Sequence, residues 1–504
     1  MPGYGNYIAK MTAKLLIGDV RIRLRELAAN SVHCVITSPP YLGLRDYHIP
    51  PQIWDGSPDC QHEWGNELIR QNAHHAGETN PGKEAYTKEA GAWSNLRGQF
   101  CQICGAWLGS LGLEPSVELY IQHLVGIFRE VKRVLRPDGV VFLNCGDSYY
   151  SGNVKSYGTS SNQMKPLDLM GIPTRLAEAL QADGWYRRSD IIWHKFCPMP
   201  ESISGWRWER HRVKADDNSK EISQRYMKEA AKGMPGKKAL SSLAHMVPVK
   251  WIPCPGCPQC VNNDGLILKR NAWRPTRAYD YIFMLTKTDK YFSDQEAVRE
   301  SQKDISQCRS TKVQATSPDN IEDRRIGFEK YGRYAEVPGG RNPRNVQIFT
   351  SEGGFKEEHF ATFPPGLPMW CIKAATSERG VCPQCRAPWA RILEPSAEYA
   401  EKLTNNSTQW YSGKGKVDLH SGNSYSGITA DYRILGWKAT CQCNAGEPIP
   451  ATVLDPFSGA GTTGIAACRL ERSYIGIDIS EKYTKMAKRR IEAEAPLLNK
   501  VEIC

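Results

Sequence analysis

Two short stretches and three groups of cysteines have the residue types to do chemistry. The first stretch is TSPPY, Thr37 to Tyr41, which follows the apolar run VHCVI, Val32 to Ile36. The run reads as a short buried strand. Proline cannot continue a sheet ladder, so Pro39 and Pro40 stop the strand and leave a hydroxyl, Ser38, and an aromatic ring, Tyr41, at its exit. The second stretch is DPFSGAGTTG, starting at Asp455. It reads as a strand, a Gly-rich turn and a helix, in which glycines let the backbone approach a ligand and the helix N-terminus points free N–H groups at it. The turn is neither GxGxxG nor a P-loop, and its opening aspartate repels a pyrophosphate. A ligand with positive charge suits it better, such as the ammonium and sulfonium of S-adenosylmethionine. Asp478 ends the next strand, 23 residues after Asp455, close to the separation of about 20 expected of a carboxylate that binds ribose hydroxyls.

The chain has 17 cysteines. In a reducing cytosol, cysteines in CxxC-like groups mean metal more often than disulfides. Cys60-x-His62 with Cys101-x-x-Cys104 offers a tetrahedral zinc set, and Cys382-x-x-Cys385 with Cys441-x-Cys443 offers another. Cys254, Cys257 and Cys260 supply three ligands, with His211, His245 and Cys197 all open as the fourth. Two or three structural zinc ions are implied, because four protein ligands leave no open position for catalysis. The scattered cysteines, several in apolar contexts, read as ordinary buried thiols.

These residues need elements to hold them. KLLIGDV (Lys14 to Val20) looks like a strand ending at Gly18-Asp19. From Ser116, apolar residues recur at helical spacing as far as Leu135; RPDG (Arg136 to Gly139) then turns the chain into the strand VVFLNC (Val140 to Cys145). A helix over about 172–183, the strand SDIIWHK (Ser189 to Lys195) and the strand YDYIFMLTK (Tyr279 to Lys287) follow. Strand–helix–strand alternation implies a parallel α/β sheet. Interruptions fall at 45–111, at the basic, Cys-rich stretch 201–273, at the polar stretch 295–345 and at 382–443, within which 399–435 is rich in Ser, Gly and Asn. A length of 504 residues allows two or three domains, or one with insertions. Hydrophobic content of 40% and charged content of 24% are those of a globular protein. No membrane-length apolar run and no signal peptide is seen, which implies a cytoplasmic protein without a membrane partner. The net charge of +11 suits a polyanion.

DPFSGAGTTG with a preceding TSPPY resembles the amino-methylating DNA methyltransferases, whose motifs are D-P-F-x-G-x-G-T and S/D/N-P-P-Y/F. The order, catalytic motif first, matches the permuted β class of that family. LNCGDSY (Leu143 to Tyr149), PMPES (Pro198 to Ser202) and HFATFPPGL (His359 to Leu367) extend the likeness into the middle of the chain. The resemblance implies a Rossmann-like, circularly permuted α/β methyltransferase sheet with zinc-bearing insertions. Residues 1–44 and 112–200 would form the catalytic half, 274–294 a core strand, 295–345 the target-recognition region, and 346–381 with 444–504 the cofactor half.

By the same resemblance Ser38, Pro39, Pro40 and Tyr41 are catalytic. Asp19, Phe363, Pro364, Asp455, Phe457, Gly459, Gly461, Thr462 and Asp478 bind S-adenosylmethionine. An exocyclic base amine is a poor nucleophile because its lone pair is delocalised into the ring. The Ser38 hydroxyl and Pro39 carbonyl are acceptors that draw its hydrogens out of plane, while Tyr41 stacks on a base flipped from the duplex. The implied partner is double-stranded DNA, with Arg207, Arg210 and Arg212 of GWRWERHRVK as contacts, and a cognate restriction endonuclease fits such an enzyme. Carbon-5 methylation is disfavoured, since its Pro-Cys candidate, Pro253-Cys254, opens a metal cluster. Serine at the first motif position favours cytosine N4 over adenine N6. The rival readings are an adenine-N6 enzyme of the same build, a zinc-stabilised DNA-binding protein with a degenerate core, and an RNA substrate.

Overall fold

The computed structural model describes residues 12–43, 47, 49–66, 98–150, 165, 168–196, 198, 204–214, 251–300, 342–349, 363–397, 400, 432–494 and 501–504. In chain order the first elements are β1 (Ala13–Ile17), α1 (Val20–Glu26), β2 (Val32–Thr37), β3 (Gln52–Trp54), β4 (Gln99–Phe100), β5 (Trp107–Gly109), α2 (Val117–Val134) and β6 (Leu135–Cys145). Next come α3 (Ile172–Ala182), β7 (Tyr186–His194), β8 (Ser204–Arg210), β9 (Arg212–Lys214), β10 (Trp251–Pro253), β11 (Leu266–Trp273), β12 (Tyr279–Thr286) and β13 (Val346–Ile348). The chain closes with α4 (Gly366–Ala375), β14 (Trp389–Pro395), β15 (Tyr432–Ala439), β16 (Thr452–Asp455), α5 (Thr462–Arg469), β17 (Ser473–Asp478), α6 (Glu481–Glu494) and β18 (Val501–Ile503).

The chain divides into two compact units, Met1–Phe196 with Tyr279–Cys504, and Cys197–Ala278. The first carries a sheet of order β13-β7-β12-β6-β2-β16-β17-β1-β18. The strands from β6 to β18 run parallel along that order. The expectation of a wholly parallel sheet is corrected at β12, which is antiparallel to both β6 and β7. The reason is local: among the described residues no helix carries the chain back between β7 and β12, and the excursion through 197–278 leaves and rejoins the sheet at one end.

Period-two alternation divides the core. Val35, Val141, Leu143, Phe283 and Leu285 face one way, onto α1, α2 and α3. Cys34, Ile36, Val140, Phe142 and Ile282 face the other, onto α4, α5 and α6. Apolar cover on both faces is why β2 is buried at every position and reads as an unbroken apolar run. Helix α2 starts where the spacing predicts, with Ser116 Oγ accepting from the Leu119 N–H at 3.2 Å.

RPDG is not a turn between elements. It lies inside β6 as a bulge: the register against β2 jumps from Val32↔Leu135 to Cys34↔Val140. A Cβ on Gly139 would come within 2.6 Å of Leu135 Cδ1 and 3.0 Å of the His33 carbonyl oxygen, so a larger residue would force the bulge to shift. A second difference is β15, which begins at Tyr432, inside the interruption rich in Ser, Gly and Asn. The regions 301–341 and 401–431 lie outside the described residues, as do Cys308 and all of PMPES after its first proline. Of the scattered cysteines, Cys34, Cys145, Cys371 and Cys468 are buried, whereas Cys504 is exposed. No helix among the described residues is long and apolar enough to cross a membrane.

His33, on β2, stitches the sheet to the loop after Cys385. Its Nδ1 accepts from the Thr452 N–H at 3.0 Å, which leaves Nε2 to carry the proton and donate to the Arg386 carbonyl at 3.0 Å. Burial lowers its pKa to about 4. The unfolded chain therefore takes up the proton first, and stability present above pH 6.5 is lost as pH falls towards 4. Urea unfolding at pH 7 and pH 4.5 should show wild type losing up to about 3 kcal/mol that a His33→Gln variant does not lose.

Candidate active site

Strands β2 and β16 are neighbours, so TSPPY and DPFSGAGTTG end side by side at one edge of the sheet. The side chains there are tied together. Asp455 is 2% exposed, and its Oδ1 accepts from Thr37 Oγ1 at 2.8 Å and from the Phe457 N–H at 3.1 Å, while Oδ2 accepts from Thr463 Oγ1 at 2.7 Å. Burial still pushes its carboxyl up to about 6.

One residue on, Ser38 lies beside Asn144 of β6, whose Nδ2 donates to Tyr41 Oη at 3.2 Å and to Ser38 Oγ at 3.4 Å. Asn144 is buried, and its Oδ1 has no partner among the described residues. The Tyr41 ring lies over Gly146, where a Cβ would approach Cε2 to 2.5 Å. The Pro40 carbonyl accepts from Tyr120 Oη of α2 at 2.7 Å. In the sequence, Tyr120 reads only as part of an apolar helix face, and Asn144 falls in the family-like stretch LNCGDSY with no role assigned to it. Nothing in local periodicity marks them, because both act on a loop distant in sequence.

A cleft of about 1000 Å³, counting its open mouth, lies along this edge. Ser38, Pro40, Asp19, Phe363, Asp455, Phe457, Gly459, Thr462 and Asp478 line it; Pro39, Tyr41, Pro364 and Gly461 do not. Asp478 accepts from the N–H groups of Gly459 and Ser480, both at 2.8 Å, and burial pushes it up to about 6. Gly461, at φ 75°, packs against α6: a Cβ would sit 2.7 Å from Ala487 Cβ. Its glycine serves helix packing, whereas Gly459 brings backbone to the cleft. The Asp19 carboxylate caps α1 through the Arg21 N–H at 2.8 Å and pairs with the Arg21 guanidinium. Pro364 lies just before the cap of α4, Pro365, and its carbonyl accepts from the Leu367 N–H at 3.0 Å. Tyr47, Gln52, Trp54, Ile479 and Tyr483 also line the cleft and carry no motif that marks them.

A family model described as DNA methylase matches residues 32–382 and 446–489. The chain belongs to the N4/N6 DNA methylase family. It is 26% identical over 497 residues to the type II methyltransferase M.Cfr9I of Citrobacter freundii, with 96% of this chain and 88% of that one covered. It is 23% identical over 494 residues to M.SmaI of Serratia marcescens, with 95% and 91% covered. Among solved structures it is similar to the PvuII DNA methyltransferase (cytosine-N4-specific), at 12% identity and TM-score 0.39, over 99% of each chain. It is also similar to a DNA modification methylase of Thermus thermophilus complexed with S-adenosyl-L-methionine, at 15% identity and TM-score 0.36, over 98% of this chain and 100% of that one.

Three four-ligand clusters accompany the methylase cleft: Cys60/His62/Cys101/Cys104, His211/Cys254/Cys257/Cys260 and Cys382/Cys385/Cys441/Cys443. Within each, the ligand atoms lie within 4.8 Å of one another. A tetrahedral ion with Zn–S bonds of about 2.3 Å holds sulfurs about 3.8 Å apart. Cys60 and Cys101 are 3.9 Å apart, and Cys257 and Cys260 are 3.8 Å apart. The open fourth ligand of the second cluster is filled by His211, whose Nδ1 is 3.3 Å from Cys257 Sγ; Cys197 and His245 lie outside the described residues. Backbone N–H groups aimed at sulfur favour the thiolate at some of these cysteines. The Cys385 N–H pulls Cys382 down to about 7, and the Ala106 N–H lowers Cys104.

In the smaller unit, β8 pairs antiparallel with β11. Arg207 is paired with Glu209, which also binds Lys269 at 2.7 Å, so its charge is partly neutralised. Arg210 and Arg212 keep part of their surface open to solvent. Trp206 and Trp208 stand 64% and 54% exposed on one face of β8, with Arg270 4.7 Å from the centre of the Trp206 ring.

Thr37→Val keeps the shape of β2 but removes a donor from a buried carboxylate. We expect it to cost about 1–3 kcal/mol in urea unfolding. Wild-type stability in that variant would show that the Thr37–Asp455 bond holds nothing together.

Proposed function

We propose that this methylase transfers a methyl group from S-adenosylmethionine to the exocyclic N4 of a cytosine flipped out of double-stranded DNA. The observation that carries the reading is the Thr37–Asp455 hydrogen bond, which holds the Ser38 hydroxyl and the Gly-rich turn in one cleft. Two buried carboxylates pushed up to about 6, with no cation bonded to either among the described residues, fit a positively charged ligand. Asp478 suits the ribose hydroxyls, Phe457 and Phe363 the apolar parts, and Gly459 a close backbone approach. The bound cofactor supplies an electrophilic methyl on a sulfonium. The carbonyl of Pro39 and the hydroxyl of Ser38 accept the two amine hydrogens and aim the nitrogen lone pair. The amine attacks first, taking the methyl from its sulfur, and the now cationic nitrogen releases its proton to solvent. Ser38 is far too weak a base to deprotonate a neutral amine, so its part is positioning and electrostatics. In this reading Tyr41 stacks on the base, and Asn144 fixes both hydroxyls.

The catalytic half (1–44 and 112–200) precedes the cofactor half (346–381 and 444–504) in the permuted order, with 295–345 as target-recognition region. The three clusters hold structural zinc in insertions too small to form cores of their own. The relatives are named type II methyltransferases, which supports a cognate restriction endonuclease as partner and a bacterial cytoplasmic setting.

Mass spectrometry of nucleosides from unmethylated DNA, incubated with the protein and deuterated S-adenosylmethionine, tests the reaction. Labelled N4-methylcytosine is expected, falling by about 100-fold or more in Ser38→Ala. Labelled N6-methyladenine would move the target to adenine, and no label on any base would defeat the enzyme reading.

Calorimetric titration with S-adenosylmethionine at pH 5 and 7.5 tests the charge argument. A cation favours ionised Asp455 and Asp478, so binding expels protons below pH 6 and affinity weakens as pH falls. The expected loss is about tenfold per pH unit for each carboxylate that must ionise; a flat profile would mean that neither needs its charge.

A further inference from the structure

The described part of the first insertion is a three-stranded antiparallel sheet, β3-β5-β4, with Cys60, His62, Cys101 and Cys104 at its ends. Its strands are two or three residues long, far too short to bury a core. Yet β3 supplies Gln52 and Trp54 to the wall of the cofactor cleft.

Trp54 is clamped from three sides. Its Nε1 donates to the Gly109 carbonyl at 3.0 Å, the Arg21 guanidinium sits 3.8 Å from a ring centre, and the His123 ring stacks on it at 4.4 Å and 25°. Arg21 also bonds Asp19, another cleft residue, and donates to the Ile53 carbonyl at 2.8 Å. The next residue, Asp55, begins a relay: His123 Nε2 lies 3.0 Å from Asp55 Oδ2, and His123 Nδ1 lies 2.9 Å from Glu114 Oε1. Glu114 Oε2 accepts from the Gly112 N–H at 2.7 Å, and Gly112 lies against Pro40, where a Cβ would be 3.2 Å from the proline Cβ. One line of contacts thus joins the Cys/His module to both the cleft wall and the Pro-Pro turn.

We infer that the zinc held by Cys60, His62, Cys101 and Cys104 is a working component of the cofactor site, because it holds β3 so that Trp54 and Gln52 close the cleft. The inference rests on the S-adenosylmethionine reading above. Trp54 and Trp107 pack into the large core beside α2, but zinc bonds close the loops that carry them, and loss of the ion loosens one wall of the cleft while leaving the large sheet intact.

The test measures zinc content by elemental analysis and S-adenosylmethionine affinity by calorimetry on the full-length protein. Cys104→Ser is expected to lose one zinc and bind the cofactor at least about tenfold more weakly, equivalent to about 1.4 kcal/mol. Trp54→Ala is expected to keep all its zinc and weaken binding similarly, with Trp54→Phe restoring most of it. Wild-type affinity in a zinc-depleted Cys104→Ser protein overturns the inference. If that variant does not fold, wild-type affinity in a fully zinc-loaded Trp54→Ala protein overturns it instead. A wild-type protein that binds no S-adenosylmethionine overturns the functional reading as well, which separates the two failures.

Discussion

A single buried carboxylate organises the reactive edge of this protein. Asp455 ends β16, and its two oxygens accept from Thr37 on β2, Thr463 on α5 and the backbone of its own turn. A charge this deep is costly unless its lone pairs are satisfied by donors. The donors therefore must stay, and staying places Ser38, one residue beyond Thr37, beside the Gly-rich turn. Two segments 418 residues apart in sequence are held to one geometry by this contact.

The surrounding elements each restrain one further degree of freedom at that edge. Tyr120 takes the Pro40 carbonyl, and Asn144 takes the hydroxyls of Ser38 and Tyr41. The glycines at 112 and 146 let Pro40 and Tyr41 lie against backbone. Two of the Cys/His modules dock from outside: that of Cys60 and Cys101 through Trp54 and His123, that of Cys382 and Cys441 through carbonyls of Cys385 and Arg386 that accept from Arg136 and His33. The insertions thus act on the sheet and are not mere appendages of it.

Much of this was legible along the chain. Helix α2 announced itself by apolar spacing, β2 by its unbroken apolar run, and β16-α5-β17 by a strand, a Gly-rich turn and a terminal aspartate. The Cys/His clusters showed in cysteine spacing. What escaped were relations between distant residues. The direction of β12 depends on where an excursion rejoins the sheet, not on its own composition. RPDG has the look of a turn, and only pairing with β2 turns it into a bulge. The packing of Gly461 against Ala487 of α6 has no mark in the sequence either.

The sequence by itself determined the α/β class, the two motifs, the family resemblance and the Cys/His groupings of two clusters, because each is written in spacing over a few residues. Tertiary structure alone decided that His211 completes the second cluster, that Thr37 and Asp455 meet, and that Trp54 walls the cleft. Spacing constrains neighbours along the chain. Which distant groups come within hydrogen-bonding reach is set by strand order and register, and those follow from burying the whole sheet at once.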